Sequence, residues 1–325
     1  MQRFKYSSSL PNIKHTNASA IAEAIINVKA PTRNKIAKYA NVTTMTVCRA
    51  ISKLQDAGFI QESAQKSKSA RSGAASLCVA NDQKFIIIDL TDDKYTVYLL
   101  SANYKELDKL YYMYSHSLDA SDNLSICLER ARAQFSQKTD HFSSIALITK
   151  DKANSGYVEA EITQCFSAPV TATLEISDCL INLRASAIDS HFPAENMYYI
   201  NLGTRNIAYF VTDTFTVKSS PQLLMDKFGS TVKDKINTCI GAEQLYDIIY
   251  NVVNSASAIL DAKLFLIESD RFILGNNVGF SISEKLKLKF GDRRKMFVSD
   301  TKPPFYVKGA AIALQKETIK DILTK

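Results

Sequence analysis

Between Thr32 and Ile60 the chain carries polar side chains of the kinds that contact nucleic acids. We expect hydroxyl and cationic side chains, together with one methionine, to face outward in this segment. These residues are Arg33, Thr43, Thr44, Met45, Thr46, Arg49 and Lys53. Hydroxyls and cations near the N-terminal end of a helix suit the major groove of DNA, where they can reach base edges and phosphates. They can do so together only if a helix holds them on one face.

A helix-turn-helix would hold them in that way. The pattern predicts a short helix from Thr32 to about Ala40, a tight turn at Asn41-Val42, and a second helix from Thr43 to about Ala57. In the second helix, apolar residues follow the i, i+3, i+4, i+7 spacing of a buried stripe. These residues are Val47, Ala50, Ile51 and Leu54. Gly58 is expected to end the helix, because glycine adopts the left-handed C′ conformation without strain.

Flanking segments extend this pattern to a winged helix-turn-helix. An upstream helix is predicted from Ala18 to Val28, with Thr16, Asn17 or Ser19 as its cap. Short strands are predicted at Phe59-Ile60 and Ser76–Val79. The loop between them carries Lys66, Lys68 and Arg71 and has no core pattern. It is predicted to be a wing that contacts DNA phosphates, with a solvated tether as the alternative.

The charge distribution agrees with an N-terminal module that binds a polyanion. Residues 1–80 contain 12 Lys and Arg against 3 Asp and Glu, a net charge of +9, whereas the other 245 residues have a net charge of −2. A membrane surface is a weaker alternative partner, since the cations belong to a compact pattern and not to an amphipathic helix. Arg49 could instead pair with a neighbour on its own helix.

Composition bounds the other possibilities. A chain of 325 residues with 46% hydrophobic residues indicates a globular protein of two or three domains. No run approaches the ~20 apolar residues of a membrane span, and the first residues lack the apolar core of a secretory signal. The six cysteines and four histidines have no metal-ligand spacing. We therefore expect a cytoplasmic protein without a membrane partner, metal or cofactor.

After residue 80 the pattern changes to alternating strands and helices. Three successive strands are predicted within 85–115 and three more within 197–219, and each set is followed by alternating helices and strands. This duplicated β-β-β-α-β-α-β order predicts two lobes around a cleft, the actin-like, sugar-kinase-like (ribonuclease H-like) architecture. The predicted fold class is therefore α/β, with an N-terminal winged helix-turn-helix before a two-lobed domain.

These motifs resemble the ROK family (repressors, open reading frames, kinases). The segment Val42-Thr43-x-x-Thr46-Val47-Cys48-Arg49 is similar to the family's Leu-Ser-x-x-Thr-Val-Ser-Arg. In the body, FIIIDLTDD and YYINLGTRN resemble the two phosphate loops, EISDCLINLRASA resembles the segment with the catalytic Asp, and YVKGAAIAL resembles the Gly-Ala-Ala helix. The resemblance implies an effector site at Asp178, Gly203, Thr204 and Arg205, with a sugar or sugar derivative as the effector.

The departures from the family pattern argue against catalysis. The first phosphate loop reads Asp89-Leu90-Thr91-Asp92-Asp93 and lacks the glycine that lets the backbone approach phosphate. Arg205 stands where the second loop needs glycine, and the family's Glu-x-Gly-His and zinc-binding cysteine motifs are missing. Each effector residue also has a plain structural alternative: Asp178 as a helix N-cap, Gly203-Thr204 as a strand turn, and Arg205 as a surface cation.

The sequence thus predicts a homodimeric, non-enzymatic transcriptional regulator of double-stranded DNA, with repression as the expected sign and a pseudokinase body. The alternatives are a constitutive DNA binder whose body is only a dimerisation scaffold and, against the loop evidence, a sugar kinase. The predicted domains are 1–80 for the winged module, 81–196 for lobe I, 197–307 for lobe II, and 308–325 for a C-terminal helix that returns to lobe I.

Overall fold

The computed structural model divides the chain into two compact units. Unit 1 comprises Met1–Ile188 and Lys308–Lys325, and unit 2 comprises Asp189–Val307. The four domain ranges predicted from the sequence are finer than this division into two units, and they remain predictions. The structure describes residues 10–63, 75–92, 94–186, 196–202, 207–212, 214–219, 241–260, 262, 264–269, 278–291, 295–299 and 303–325.

The N-terminal part of unit 1 is a three-helix module with a two-stranded sheet, here called the winged module. Its elements are α1 (Leu10–Asn27), α2 (Arg33–Ala40), α3 (Thr44–Asp56), β1 (Ile60–Glu62) and β2 (Leu77–Val79). The strands are antiparallel, and Ile60 pairs with Val79. The core is formed by one apolar face of each helix, with Ile21, Ile36, Ile51 and Leu54 almost completely buried.

The rest of unit 1, here called lobe I, is built on a five-stranded sheet. Its elements are β3 (Lys84–Asp89), β4 (Lys94–Ser101), β5 (Glu106–Met113), α4 (Ala120–Phe135), β6 (Ser144–Ile148), α5 (Gly156–Phe166), β7 (Val170–Leu174) and α6 (Ile176–Ala185). The strand order is β5-β4-β3-β6-β7. The first three strands form an antiparallel meander, and β3, β6 and β7 are parallel because helices connect them.

Unit 2 repeats the same topology. Its described elements are β8 (Met197–Leu202), β9 (Ile207–Val211), β10 (Val217–Ser219), α7 (Ala242–Leu260), β11 (Leu264–Ser269), α8 (Val278–Phe290) and β12 (Lys295–Ser299). The strand order β10-β9-β8-β11-β12 matches that of lobe I position by position. The duplicated architecture predicted from the sequence is therefore confirmed. No described helix has the length and apolar content needed to cross a membrane.

The last helix, α9 (Phe305–Thr324), is buried along most of its length. Gly309 allows it to approach α6 closely, because a Cβ at this position would overlap the Cys179 carbonyl group. Polar contacts fix its orientation: Gln315 Nε2 donates to the carbonyl oxygen of Ala102 at 2.9 Å, and the Thr318 and Ser144 hydroxyls lie 2.8 Å apart. A helix that is apolar on most faces belongs in a core, and α9 holds that place in lobe I.

Three predicted helix starts are wrong. Helix α1 begins at Leu10, so Thr16, Asn17 and Ser19 lie inside it and not at a cap; a proline in the first turn has no amide hydrogen to leave unbonded, which suits this start. Helix α6 begins at Ile176 and not at Asp178.

Helix α9 begins at Phe305, before the predicted start at residue 308. Its first turn is capped from a distance in sequence, because the buried carboxylate of Glu268 accepts a hydrogen bond from the Phe305 amide. Gly309 is required for packing and does not mark a helix end.

Replacement of Gly309 by Ala tests the close approach of α9 and α6. A Cβ at Gly309 would overlap the carbonyl group of Cys179, whereas a Cβ at the helical Gly156 would meet nothing within 4 Å. We expect Gly309→Ala to lower the free energy of unfolding by about 1–3 kcal/mol, the usual cost of overpacking. Urea unfolding of the full chain, with Gly156→Ala as the control, measures the difference. Equal effects of the two substitutions would contradict the packing described.

Candidate nucleic-acid interface

Side-chain caps define the starts of α2 and α3. Thr32 Oγ1 accepts from the Lys35 amide at 3.4 Å, and Thr43 Oγ1 accepts from the Thr46 amide at 3.1 Å. Asn41 ends α2 in the left-handed conformation, with φ 52°. Asparagine tolerates this region better than most residues, so the chain reverses sharply and places α3 at a defined angle to α2.

Helix α3 has one buried face and one exposed face. The predicted stripe of Val47, Ala50, Ile51 and Leu54 is buried in the core of the module. On the opposite side, Thr44, Met45 and Arg49 are exposed, and Met45 has 63% of its surface accessible. Thr46 is half-buried, and its hydroxyl lies 2.9 Å from that of Thr43. Thr46 is therefore engaged in the cap, and Thr44, Met45 and Arg49 form the outward surface.

Ser52 is absent from the candidates named from the sequence, although it belongs to the same surface. Met45, Arg49 and Ser52 have the spacing i, i+4 and i+7, which places them on one helical face. Ser52 is exposed, as is Asp56 one turn further on. The acidic Asp56 would repel phosphates, so the surface available to DNA ends near Ser52 and the N-terminal half of α3 is the part that would contact bases.

Two of the candidate cations already have protein partners. Arg33 Nη1 lies 3.5 Å from Glu62 Oε1, so this ion pair joins the start of α2 to β1. Lys53 Nζ donates to the carbonyl oxygen of Leu323 at 3.5 Å, near the end of α9. Arg49, in contrast, makes no ion pair with any residue in the described part of the chain. Of these three cations, Arg49 is placed best to contact DNA.

The N-terminal ends of α2 and α3 add to the positive potential of this surface. Neither helix has an acidic residue in its first turn. The amide groups and dipoles at these ends are therefore not neutralised locally and can favour a phosphate. The predicted wing cations Lys66, Lys68 and Arg71 lie outside the described residues. The wing base is in place, because β1 and β2 pair and the Leu77 amide donates to the Pro31 carbonyl at 2.8 Å.

The candidate effector residue Asp178 lies in the first turn of α6, close to the carboxyl end of β7. Its Oδ2 accepts from the Glu175 amide at 3.1 Å and lies 3.3 Å from Lys152 Nζ. Glu175 completes a reciprocal capping box, so Asp178 is the third helical residue and not the N-cap. Gly203, Thr204 and Arg205 lie outside the described residues.

The loop that follows β3 is closed on itself by a buried carboxylate. Asp89 is fully buried, and its Oδ1 accepts from the amide of Thr91 at 3.1 Å and from its hydroxyl at 2.7 Å. In a phosphate-binding loop the backbone amides point to the ligand. Here the Thr91 amide points back to Asp89. The loop is therefore a turn in which the Thr91 amide and hydroxyl groups bond to the carboxylate of Asp89.

A second carboxylate near the same strand ends is held by hydroxyl groups. Glu159 Oε1 accepts from Ser155 at 2.6 Å and from Thr173 at 2.7 Å. The hydrogen bond from Ser155, and then that from Thr173, lower the pKa of Glu159. These bonds join the start of α5 to β7 and stabilise the edge of the sheet. Among the described residues, no group of His, Cys, Asp or Glu side chains has an arrangement that could hold a metal ion.

Comparison with solved structures identifies the fold. A ROK family transcriptional regulator, a homologue of the E. coli MLC protein, superposes with a TM-score of 0.59 at 16% identity, covering 96% of this chain and 98% of that one. The fold is that of a ROK family regulator. The match spans the winged module and both lobes, and it confirms the predicted fold class. No protein-family model matches the sequence, and no curated protein sequence matches it.

Sugar kinases are among the further neighbours. A polyphosphate/ATP-glucomannokinase from Arthrobacter has a TM-score of 0.48 at 13% identity, covering 71% of this chain and 98% of its own. A putative N-acetylmannosamine kinase from Listeria monocytogenes has a TM-score of 0.47 at 10% identity, with coverage of 72% and 98%.

Removal of the Thr43 hydroxyl tests the cap that begins α3. We expect Thr43→Ala to destabilise the first turn of α3 by about 1 kcal/mol, the usual cost of losing an N-cap side chain. Hydrogen exchange at the Thr46 amide measures this directly, because that amide donates to Thr43. Thr43→Ser keeps the oxygen and serves as the control. If the Thr46 amide hydrogen exchanged as slowly in Thr43→Ala as in Thr43→Ser, the cap would not stabilise the first turn of α3.

Proposed function

We propose that this protein is a DNA-binding transcriptional regulator, with repression as its mode of action. The observation that supports this most is the exposed surface of α3, which combines Thr44, Met45, Arg49 and Ser52 on a helix held by a helix-turn-helix. A recognition helix of this kind inserts its N-terminal half into the major groove. The charge of +9 within residues 1–80 attracts the DNA backbone over a longer range.

The kinase-like body is proposed to be catalytically inactive. Phosphoryl transfer needs amides and cations arranged around phosphate, and a base that is free to accept a proton. The Thr91 amide instead bonds to Asp89, and Asp178 is occupied by the Glu175 amide and Lys152. In sequence, the acidic residues Asp92 and Asp93 follow Thr91 in the segment that resembles the family's first phosphate loop. These contacts favour a structural role for residues that would be catalytic in a kinase.

The body is proposed to form a homodimer and to sense a small effector related to sugars. A dimer would present two winged modules to the two halves of a symmetric operator, and sedimentation of the full chain tests its formation. The effector would act through Asp178, Gly203, Thr204 and Arg205. Arg205 would attract an anionic group such as a sugar phosphate. The alternative is a constitutive regulator whose body is only a scaffold, in which Asp178 serves only the capping box of α6 and its ion pair with Lys152.

Substitutions on α3 test the DNA-binding proposal. Genome-wide mapping of the bound sites supplies the duplexes, and gel-shift titration measures the affinity. We expect Thr44→Ala and Arg49→Ala each to weaken binding by about 1–3 kcal/mol if they contact bases. Lys105→Ala is the matched control, because Lys105 is an exposed cation in lobe I.

Affinities of Thr44→Ala and Arg49→Ala that both stay within about 0.5 kcal/mol of the parent chain would show that α3 does not read the DNA. A loss of the same size in Lys105→Ala would mean that general charge, and not position on α3, determines the binding.

Titration with Mg-ATP tests the inactive body. We expect no saturable heat at micromolar to millimolar nucleotide in calorimetry of the full chain, because the Thr91 amide in the loop after β3 bonds to Asp89. Asp92→Gly is a useful second variant for comparison, because it removes one of the two negative charges that would repel phosphate. Micromolar affinity in the parent chain would overturn the proposed loss of nucleotide binding.

A further inference from the structure

A cleft of about 750 Å³ lies inside unit 1, between the winged module and lobe I. One wall is formed by the end of α1, the segment that links it to α2, Ser63 just after β1, and strand β2 with the preceding Ser76. The other wall is formed by the turn between β4 and β5 and by Gln315 of α9. The volume is in the range of small-molecule sites, about 300–1,000 Å³. Its position is separate from Asp178 and from the exposed surface of α3.

The walls of the cleft are mainly apolar, with a few polar groups. The apolar residues are Ile25, Ile26, Val28, Pro31, Leu77 and Val79. Two polar residues of the lining, Ser76 and Gln315, are almost completely buried. Specific ligand sites commonly combine such an apolar surface with a small number of fixed hydrogen-bonding groups. The lining therefore suits a ligand with an apolar body and one polar end.

Two residues of the lining have backbone conformations that are unfavourable for their side chains. Tyr104 has φ 61° and Ala30 has φ 47°, and non-glycine residues in this region occur where the surrounding structure holds them, often at ligand sites. The Tyr104 hydroxyl donates to Gln315 Oε1 at 2.8 Å, and Lys35 Nζ donates to the Ala30 carbonyl at 3.2 Å.

Burial raises the pKa of Tyr104, so its phenol stays neutral. The hydroxyl group donates its hydrogen to Gln315, and its oxygen keeps lone pairs that can accept a hydrogen bond from a ligand.

The charged residues of the lining determine whether the cleft favours an anionic or a cationic ligand. Lys29 is exposed at the mouth of the cleft, and none of the described residues of the lining is acidic. A cation beside an apolar interior favours an amphiphilic anion, which can keep its charge near water and bury the rest. We propose that this cleft binds a small carboxylate with an aromatic or branched aliphatic body, with the carboxylate near Lys29.

A ligand in this cleft would contact the winged module and lobe I at once. The ligand would therefore stabilise the arrangement of the winged module and lobe I in which the cleft has this shape. It would change the affinity for DNA if DNA binds more tightly to a different arrangement of the winged module and lobe I. This consequence for DNA rests on the proposed function, whereas binding of the carboxylate does not.

Calorimetric titration of the full chain with 4-tert-butylbenzoate tests the binding. The uncharged 4-tert-butylbenzamide has the same body and is the matched ligand. We expect saturable binding of the carboxylate, and an affinity for the amide that is about fivefold lower, because an exposed ion pair contributes up to about 1 kcal/mol. Lys29→Gln should remove this preference, and Lys105→Gln should leave it unchanged. Ile26→Trp should fill the cleft and abolish binding of both ligands.

The proposed site would be overturned by the absence of saturable binding, by equal affinity for the two ligands in the parent chain, or by binding that persists in Ile26→Trp. If Ile26→Trp does not fold, the exposed Lys29→Gln still decides, because an unchanged preference in that variant contradicts the site. A gel-shift titration with and without the carboxylate then measures coupling to DNA. Unchanged DNA affinity would overturn the coupling alone, and failure of the α3 substitutions would overturn the proposed function alone.

Discussion

Helix α9 contacts both the winged module and lobe I, and it approaches α6 most closely at Gly309. From that contact the helix passes the turn after β4, where Gln315 holds Ala102, and then β6, where Thr318 meets Ser144. Its last carbonyl groups accept from Lys14 of α1 and Lys53 of α3. Cations at a helix C-terminus are stabilised by its dipole. The same helix therefore supports the sheet of lobe I and anchors the winged module.

Three carboxylates in lobe I are held by hydrogen bonds within the fold. Asp89 stabilises its own turn, Asp178 completes the capping box of α6, and Glu159 joins α5 to β7. Each carboxylate accepts hydrogen bonds from backbone or hydroxyl donors. Leaving such a donor unpaired costs about 1–3 kcal/mol when the group is buried. These hydrogen bonds give each carboxylate a role in the fold that needs no bound phosphate.

Local patterns in the sequence predicted most of the fold. The apolar stripe of α3, the cap at Thr43 and the duplicated strand order depend on neighbours in sequence or on periodicity, and all three are present. The wrong starts of α1 and α6 concern local capping, whereas the start of α9 depends on a contact distant in sequence. Glu268 caps α9 at Phe305, and Gly309 is needed for packing against Cys179. The pairing of Arg33 with Glu62 and of Lys53 with Leu323, and the cleft beside Tyr104, also depend on tertiary structure.

The central claim is that α3 gives this protein a sequence-specific interaction with DNA. Selection of duplexes from a random-sequence pool by the full chain tests it most directly. The account predicts enrichment of a motif with two-fold symmetry, whose half-sites are about one helical turn apart or a multiple of it. A folded chain that enriches no motif, or that retains all sequences equally and releases them with rising salt, would contradict it, since binding would then be through charge alone.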